Sequence, residues 1–518
     1  MVENQSHRGN RMQRTAPRPE FTPISIEHFY LDRGTHITLR SLPMAEDMFR
    51  APIHRGMRAL DRSKFQKVVP LKAARVFDNK NISKVRGELE RSKDALAQER
   101  LGNVHPDPDS GLAQSGRKCV VLRPEHKVAS DVPAGSSSTN GSSSSSTQPW
   151  PHSPTVTDLV ARELISVVPF DLNLNYDYWT YYDIISSILH EDEQGEIPSG
   201  FTQVGHVAHL NLRDEYLKHK YLIAEVLMDK NPGVRTIINK IDDVGEENEF
   251  RTFKYEVLAG PDDLNVMISE ENCTFKFDYA KVYWNSRLNT EHRRLVAMFK
   301  EGDAVCDVMA GIGPFAVPAG KRSVFVWAND LNPDSYVSLA DAVKRNKVSQ
   351  FVRPSNEDGR TFIRTATAQL AETEHQVDIT SKPNKKDGPG AKPQVLKTLT
   401  QPKTFQHFVL NLPASALTFL PSFVGLYPPS VRKHLPQDFN LPLVHVYCFS
   451  TKSDDNVEEG VKICREISGH LGFDMKPGKI DADGEGAVEV WDVRDVAPKK
   501  RMFCASFRLP QEVAFRET

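Results

Sequence analysis

The stretch AVCDVMAGIGPFAVPAGKRSVFVWANDLNPD (304–334) decides the fold. Its opening AVCDVM (304–309) is a short apolar run of the kind a buried parallel strand shows. GIGPF (311–315) supplies a glycine turn into a helix, with Pro314 near the first helical position. SVFVWAND (323–330) is a second buried strand. LNPDSYVSLADAVKRN (331–346) then opens a helix with Asn332 as N-cap and Pro333 at N1. Strand, glycine turn, helix, strand and helix in that order predict a doubly wound, Rossmann-like α/β sheet.

Reading outward, the segment from Val352 to Asp358 is a third strand, HFVLNL (407–412) a fourth and LVHVYCFS (443–450) a fifth. A helix near 455–471 precedes two terminal strands, AVEVWDVRDV (487–496) and RMFCASFRL (501–509). Ligands of such sheets sit at the carboxyl ends of the strands, beside the point where strand order reverses. Polar groups stand at those ends. Asp307 closes the first strand, and Gly311 and Gly313 allow close backbone approach. Asp330, twenty-three residues after Asp307, is placed to accept from ribose hydroxyls. Asp358 and Gly359 follow the third strand, and Asn411, Leu412 and Pro413 the fourth. The turn lacks the third glycine of a dinucleotide fingerprint and has an early proline. An adenosine-type ligand without a pyrophosphate, such as S-adenosyl-L-methionine, fits it better.

The chain has 518 residues, 66 Lys and Arg against 68 Asp and Glu, and a formal charge of −2, which excludes a uniformly basic nucleic-acid coat. The balance hides a segment, 55–100, with a local net charge of +7. That segment is either a solvated basic face or a contact for RNA. Six widely spaced cysteines, with no C-x-x-C pair, argue against a zinc ribbon or disulfide framework and for a reducing compartment. No stretch reads as a membrane span; Phe408 to Tyr427, the most apolar, is broken by Asn411, Pro413 and Pro421. The polar start carries Arg8, Arg11, Arg14 and Arg18, as either a disordered basic tail or a transit peptide.

Composition divides the chain into a tail (1–45), a basic N-terminal domain (46–130), a Ser/Gly-rich linker (131–157), an α+β middle domain (158–286) and the catalytic sheet (287–518). A low-complexity insert (373–403), centred on SKPNKKDGPGAKPQ, is expected to loop out of that sheet. In the middle domain, Leu210 to Met228 has helical spacing, while VRTIINKI and NVMISEENCTFKFDY read as strands.

Several longer motifs carry a resemblance. FDYAKVYWNSRLNTEHRRL (277–295), DVMAGIGPFAVPA (307–319), ANDLNPDS (328–335), NEDGR (356–360) and NLPASALTFL (411–420) are similar to the tRNA (guanine-37-N1)-methyltransferase family of archaea and eukaryotes. NKIDDVGEENEFRTFKYEVLAG (239–260) resembles that family's middle domain, and HRGMRALDRSKFQKVVPLKAARV (54–76) its eukaryotic, fungal-like members. The resemblance runs from about residue 50 to the end, outside the two low-complexity stretches.

It implies methyl transfer from S-adenosyl-L-methionine to N1 of the guanosine 3′ of the anticodon, which supports reading-frame maintenance. Guanine N1 carries a proton at neutral pH, so the site needs a base at N1 and a hydrogen-bonding or cationic group at O6, where charge develops. By resemblance Glu291 in TEHRR is the base, Arg251 in EFRTF the O6 partner, and His292 a cofactor contact. By residue type alone, Glu291 equally serves a helix dipole, Arg251 a solvated surface and His292 the same. The resemblance likewise implies cofactor contacts from Asp307, Gly311, Gly313, Asp330, Leu331, Asp358, Gly359 and Asn411.

Asn411 in NLPA is similar to the Asn of an Asn-Pro-Pro-aromatic loop, with Pro413 retained and Ala414 where the aromatic stands. That departure disfavours methylation of an exocyclic amine, and no cysteine nucleophile is offered for 5-methylcytosine chemistry. Tyr283, a core aromatic or a stacking platform, is the candidate to cover the flipped base. The partner implied is tRNA, checked at a distance by the basic N-terminal domain; the chain is expected to be a monomer off the membrane. The cytoplasm, nucleus and mitochondrial matrix are the expected compartments. Two other readings remain at this point, a methylase of another RNA nucleobase and a non-catalytic RNA-binding protein on a retained methylase fold.

Overall fold

The computed structural model describes residues 48–124, 153–241, 250, 252–381, 394–437 and 439–517. The expected tail, most of the Ser/Gly linker, the centre of the insert and Arg251 lie outside the described residues.

The first sheet is antiparallel, in the order β2 (Val104–Pro106), β3 (Lys118–Val121), β1 (Lys67–Val76), β4 (Ile165–Leu174). β1 and β4 pair over ten residues, from Lys67 opposite Leu174 to Val76 opposite Ile165. This moves the expected boundary at 157, because the first strand after the linker completes the N-terminal sheet instead of opening the middle domain. The linker also ends earlier than expected, since Ser153 caps a helix over Pro154–Ala161 by accepting from the Val156 N–H. Val156 and Leu159 of that helix bury against Val85 and Leu89 of the Ile82–Arg91 helix, an apolar seam that local composition does not reveal. Part of the basic surplus of 55–100 is neutralised by acids elsewhere in the chain, since Arg62 pairs with Asp229, Arg75 with Asp107 and Arg100 with Asp183.

The middle region holds a mixed sheet, β5 (Thr202–Val204), β6 (Val207–Leu210), β7 (Thr236–Lys240) and β8 (Tyr255–Ala259), followed by the hairpin of β9 (Asn265–Glu270) and β10 (Cys273–Asp278). Of the two stretches read as strands, VRTIINKI holds β7 and NVMISEENCTFKFDY holds both strands of the β9–β10 hairpin. The helix expected over Leu210–Met228 runs only over Lys220–Lys230. Leu210 closes β6, in parallel register with Asn239, and a 3-10 turn fills Asp214–His219. Sheet pairing overrides helical spacing at its start.

The third sheet has the order β13 (Val352–Ser355), β12 (Phe325–Asn329), β11 (Ala304–Asp307), β16 (His407–Leu410), β17 (Leu443–Thr451), β20 (Lys500–Arg508), β19 (Ala487–Ala497), β18 (Lys476–Pro477). β13, β12, β11, β16 and β17 are parallel, and β20 runs antiparallel to β17. The doubly wound sheet is as expected, with both terminal strands inside it. Alternation along the strands builds the two cores. Cys306, Trp327 and Phe408 bury on one face, and Val305, Val326 and Val409 on the other. The insert does not loop out bare. QVDIT and VLKTLT form an antiparallel ribbon, β14 (Gln376–Thr380) with β15 (Val395–Thr400), because their β-branched alternation outlasts the low-complexity composition between them.

The chain steps from β11 outward to β12 and β13, then returns to β16 and β17 on the other side. The switch point therefore lies between β11 and β16, and the cleft described next opens at their carboxyl ends. Among the described residues no helix is long and apolar enough to cross a membrane, and no cluster of side chains could hold a metal ion. All six cysteines are buried and unpaired.

Candidate active site

The turn after β11 is built by two glycines in left-handed backbone, Gly311 at φ +56° and Gly313 at φ +95°. A β-carbon on Gly313 would come within 2.6 Å of Leu339 Cδ1 and 3.0 Å of Val317 Cγ2, so close packing as well as backbone demands glycine. At Gly311 the same position is open. The Gly311 N–H donates to Asp330 Oδ2 at 2.8 Å, and the Asn332 N–H donates to Oδ1 at 3.0 Å. Burial nevertheless pushes the Asp330 carboxyl above the ordinary aspartate range, against these two bonds. Asn332 caps its helix by accepting from the Asp334 N–H, with Pro333 at the first turn as expected.

Behind this turn stands Asn329, a wholly buried residue that the sequence reading passed over. Its Nδ2 donates to the carbonyls of Val308 (3.1 Å) and Glu357 (3.0 Å), and its Oδ1 accepts from the Glu357 N–H (2.8 Å). One amide thus ties the ends of β11, β12 and the segment after β13. The only sequence signal was an amide at the end of an apolar run.

The cleft is lined by Tyr283, His292, Gly311, Asp330, Leu331, Asp358, Gly359, Asn411 and Pro413 among the expected residues. Asp358 also caps the Gly359–Glu372 helix, accepting from the Arg360 and Thr361 N–H groups. Leu331, 44% exposed, is an apolar surface on the cleft wall. Tyr283 is equally exposed, which fits a platform and excludes a core aromatic. His292 is buried, its Nδ1 2.6 Å from Glu270 Oε1 and its ring edge-on to Phe315. It is therefore no surface histidine.

Three expected residues do not line the cleft. Gly313 is packed behind the turn. Asp307 is fully buried, and its two carboxylate oxygens have no partner among the described residues. Burial, with Asp330 nearby, pushes its carboxyl well above the ordinary range. Glu291, the third residue of the Asn289–Met298 helix, is buried and held by three hydrogen bonds from two residues. Arg294 donates to Oε2 and Oε1 at 2.7 Å each, and the Tyr447 hydroxyl donates to Oε1 at 2.7 Å.

The arrangement suits a cationic adenosine-type ligand. Asp307 and Asp330 bring two carboxyl groups together, and neither has a cationic side chain within ion-pair distance among the described residues. Asn411 Oδ1 is buried without a hydrogen-bond donor, at the end of β16 where a bound group would supply one. Residues that motif reading missed complete the walls, chiefly Trp284, Phe315, Phe419 and Arg494.

Comparison with known proteins places the chain in a family. Residues 266–373 match the family model of the TRM5/TYW2 methyltransferase domain, and 181–263 that of the TYW2 N-terminal domain. A tRNA (guanine(37)-N(1))-methyltransferase of Fusarium vanettenii is 51% identical over 472 residues, covering 90% of this chain and 97% of the relative. Proteins of the same name from Neurospora crassa (51% identical, 91% and 95% covered) and Schizosaccharomyces pombe (41%, 89% and 95%) match along nearly their whole lengths. The solved complex of aTrm5 and tRNALeu superposes with a TM-score of 0.51 over 85% of this chain and 99% of that one. At 17% identity, this likeness speaks for the fold alone. With relatives this similar over this much of its length, the chain belongs to the tRNA (guanine(37)-N(1))-methyltransferase family.

Proposed function

We propose that the protein uses S-adenosyl-L-methionine to methylate N1 of guanosine 37 in tRNA. The observation that carries this reading is the cleft at the switch point, where Asp330 is anchored by two backbone N–H groups beside the donor-less Asn411 Oδ1. When bound, the cofactor supplies an electrophilic methyl group on a sulfonium. Asp330 would accept from the ribose, and Leu331 and Phe315 would offer apolar walls to the adenine. The Asn411 oxygen accepts from a donor of the guanine edge, and Tyr283 covers the base.

Glu291 would take the proton of guanine N1, freeing the lone pair of that nitrogen for the methyl group the cofactor would supply. Arg251 is assigned to O6, where negative charge gathers as the proton leaves; a preorganised donor there is worth about 3–4 kcal/mol. Arg294 and Tyr447 hold Glu291 in one rotamer, leaving little of its acceptor capacity free. The carboxylate must therefore present its remaining lone pair when the base enters. The basic tail supports a mitochondrial fraction beside cytoplasmic and nuclear ones.

The test is methylation of unmodified tRNA transcripts carrying guanosine or adenosine at position 37, with the product nucleoside identified after digestion. N1-methylguanosine from the first alone is expected. Methyl incorporation into both, or into neither, overturns the reading. Arg251→Ala should slow single-turnover methylation more than it weakens tRNA binding; normal turnover at saturating tRNA contradicts the O6 role.

A further inference from the structure

Arg494 reaches the cleft because β19 is irregular there. Its register with β20 shifts between Asp492 and Arg494, and again between Asp495 and Ala497. Bulges bend a strand and re-aim the side chains they carry. Arg494 and Val496 thereby join Phe449 and Met502 along the cleft.

The acids of the same hairpin are committed elsewhere. Asp492 and Asp495 pair with Arg501 at 2.8 and 2.7 Å, and Asp495 also holds Lys452. Among the described residues the Arg494 guanidinium makes one hydrogen bond, from Nε to the carbonyl of the adjacent Asp495 at 3.1 Å, and no carboxylate lies within 4.0 Å of it. Arg287 is a second cation here, exposed on the 3-10 turn Ser286–Leu288 next to the Tyr283 segment. Its charge acts on Arg494. Burial, then the like charge of Arg287, pull the Arg494 guanidinium below the usual arginine range, opposed by Tyr283 and Asp495. Arg494 thus stands at the cleft with one backbone hydrogen bond and no acid in contact, an arrangement that an anion relieves.

We propose that Arg494 is a clamp for the phosphodiester flanking the nucleotide that enters the cleft. The proposal rests on the RNA reading above and specifies how that substrate is held. A base turned out of its stack carries its backbone to the mouth of the pocket, and a guanidinium fork matches two phosphate oxygens at once. The carboxylate of the methyl donor is the other anion that could reach an arginine here, and the experiment separates the two.

Wild type, Arg494→Gln and Arg494→Lys are compared for binding to an anticodon stem-loop over a salt series. Each stem-loop is also made with a neutral methylphosphonate at one of the linkages flanking position 37. Arg494→Gln should bind RNA about tenfold more weakly. Its log Kd against log salt should flatten by about 0.7–0.9, the signature of one lost phosphate contact. Arg494→Lys should keep the salt slope and lose part of the affinity, and calorimetric affinity for the methyl donor should be unchanged throughout. One neutral linkage should weaken wild type but cost Arg494→Gln nothing further. Equal penalties from that linkage in both proteins overturn the clamp. So does weaker methyl-donor binding with an unaltered salt slope. A wild type that binds the stem-loop yet leaves guanosine 37 of full-length tRNA unmethylated sinks the activity reading, while the linkage cycle still decides the clamp.

Discussion

Gly313→Ala is the sharpest probe of the glycine turn. The backbone there sits at φ +95°, which an L-residue adopts only at a cost of about 1–2 kcal/mol. The new methyl would stand 2.6 Å from Leu339 Cδ1 and 3.0 Å from Val317 Cγ2. Leu339 is wholly buried and Val317 is β-branched, so neither yields freely, and overpacking of this kind costs about 1–3 kcal/mol. The sum is about 2–5 kcal/mol, against a typical domain stability of about 5–15 kcal/mol. In a domain of this size it corresponds to a fall in Tm of about 4–20 °C. Because the displaced turn carries the Gly311 N–H that orients Asp330, affinity for S-adenosyl-L-methionine should fall with stability. Gly311→Ala is the internal control. Its backbone is also left-handed but its β-carbon position is open, so only the smaller backbone cost of about 1–2 kcal/mol applies. Thermal melts and calorimetric titration of both variants check this. Equal melting temperatures for the two variants would refute the packing argument, and unchanged cofactor affinity in Gly313→Ala would refute the link from turn to carboxylate.

Three further outcomes are expected. Glu291→Gln should lower single-turnover methylation at least ~100-fold with cofactor affinity nearly intact; unchanged rates remove Glu291 as the base. Asn329→Leu strands the Val308 carbonyl in the core and removes two half-buried bonds, to the carbonyl and from the N–H of Glu357. At about 1–3 kcal/mol for an unsatisfied buried group, urea unfolding should show a loss of at least ~2 kcal/mol. His445 is fully buried between His407 and Ser506, and burial, then the His407 charge, lower its pKa well below the ordinary imidazole value. The unfolded chain then takes up a proton that the folded one refuses. Stability is unaffected above about pH 6.5 and falls below it by about 1.4 kcal/mol per pH unit, which urea titrations at pH 7.5 and 5.5 would detect and His445→Gln should flatten.

The sequence by itself determined the third sheet. Its strands are apolar runs closed by Asp307, Asp330 and Asn411, its helix caps are local, and the glycine turn is a contiguous motif, so each element is specified within a few residues. The residues that line the cleft at strand ends were legible for the same reason. What only the tertiary structure decided depends on partners far along the chain. β4 joins β1 across nearly a hundred residues, which no composition boundary could report. Asn329 matters through two other strands, and Glu291 through Arg294 and Tyr447, so their surroundings exist only once the sheet has closed. Arg494 reads as one more charge on a terminal strand. Two register shifts against β20 turn it toward the cleft, and register is a property of the pair of strands, absent from either alone.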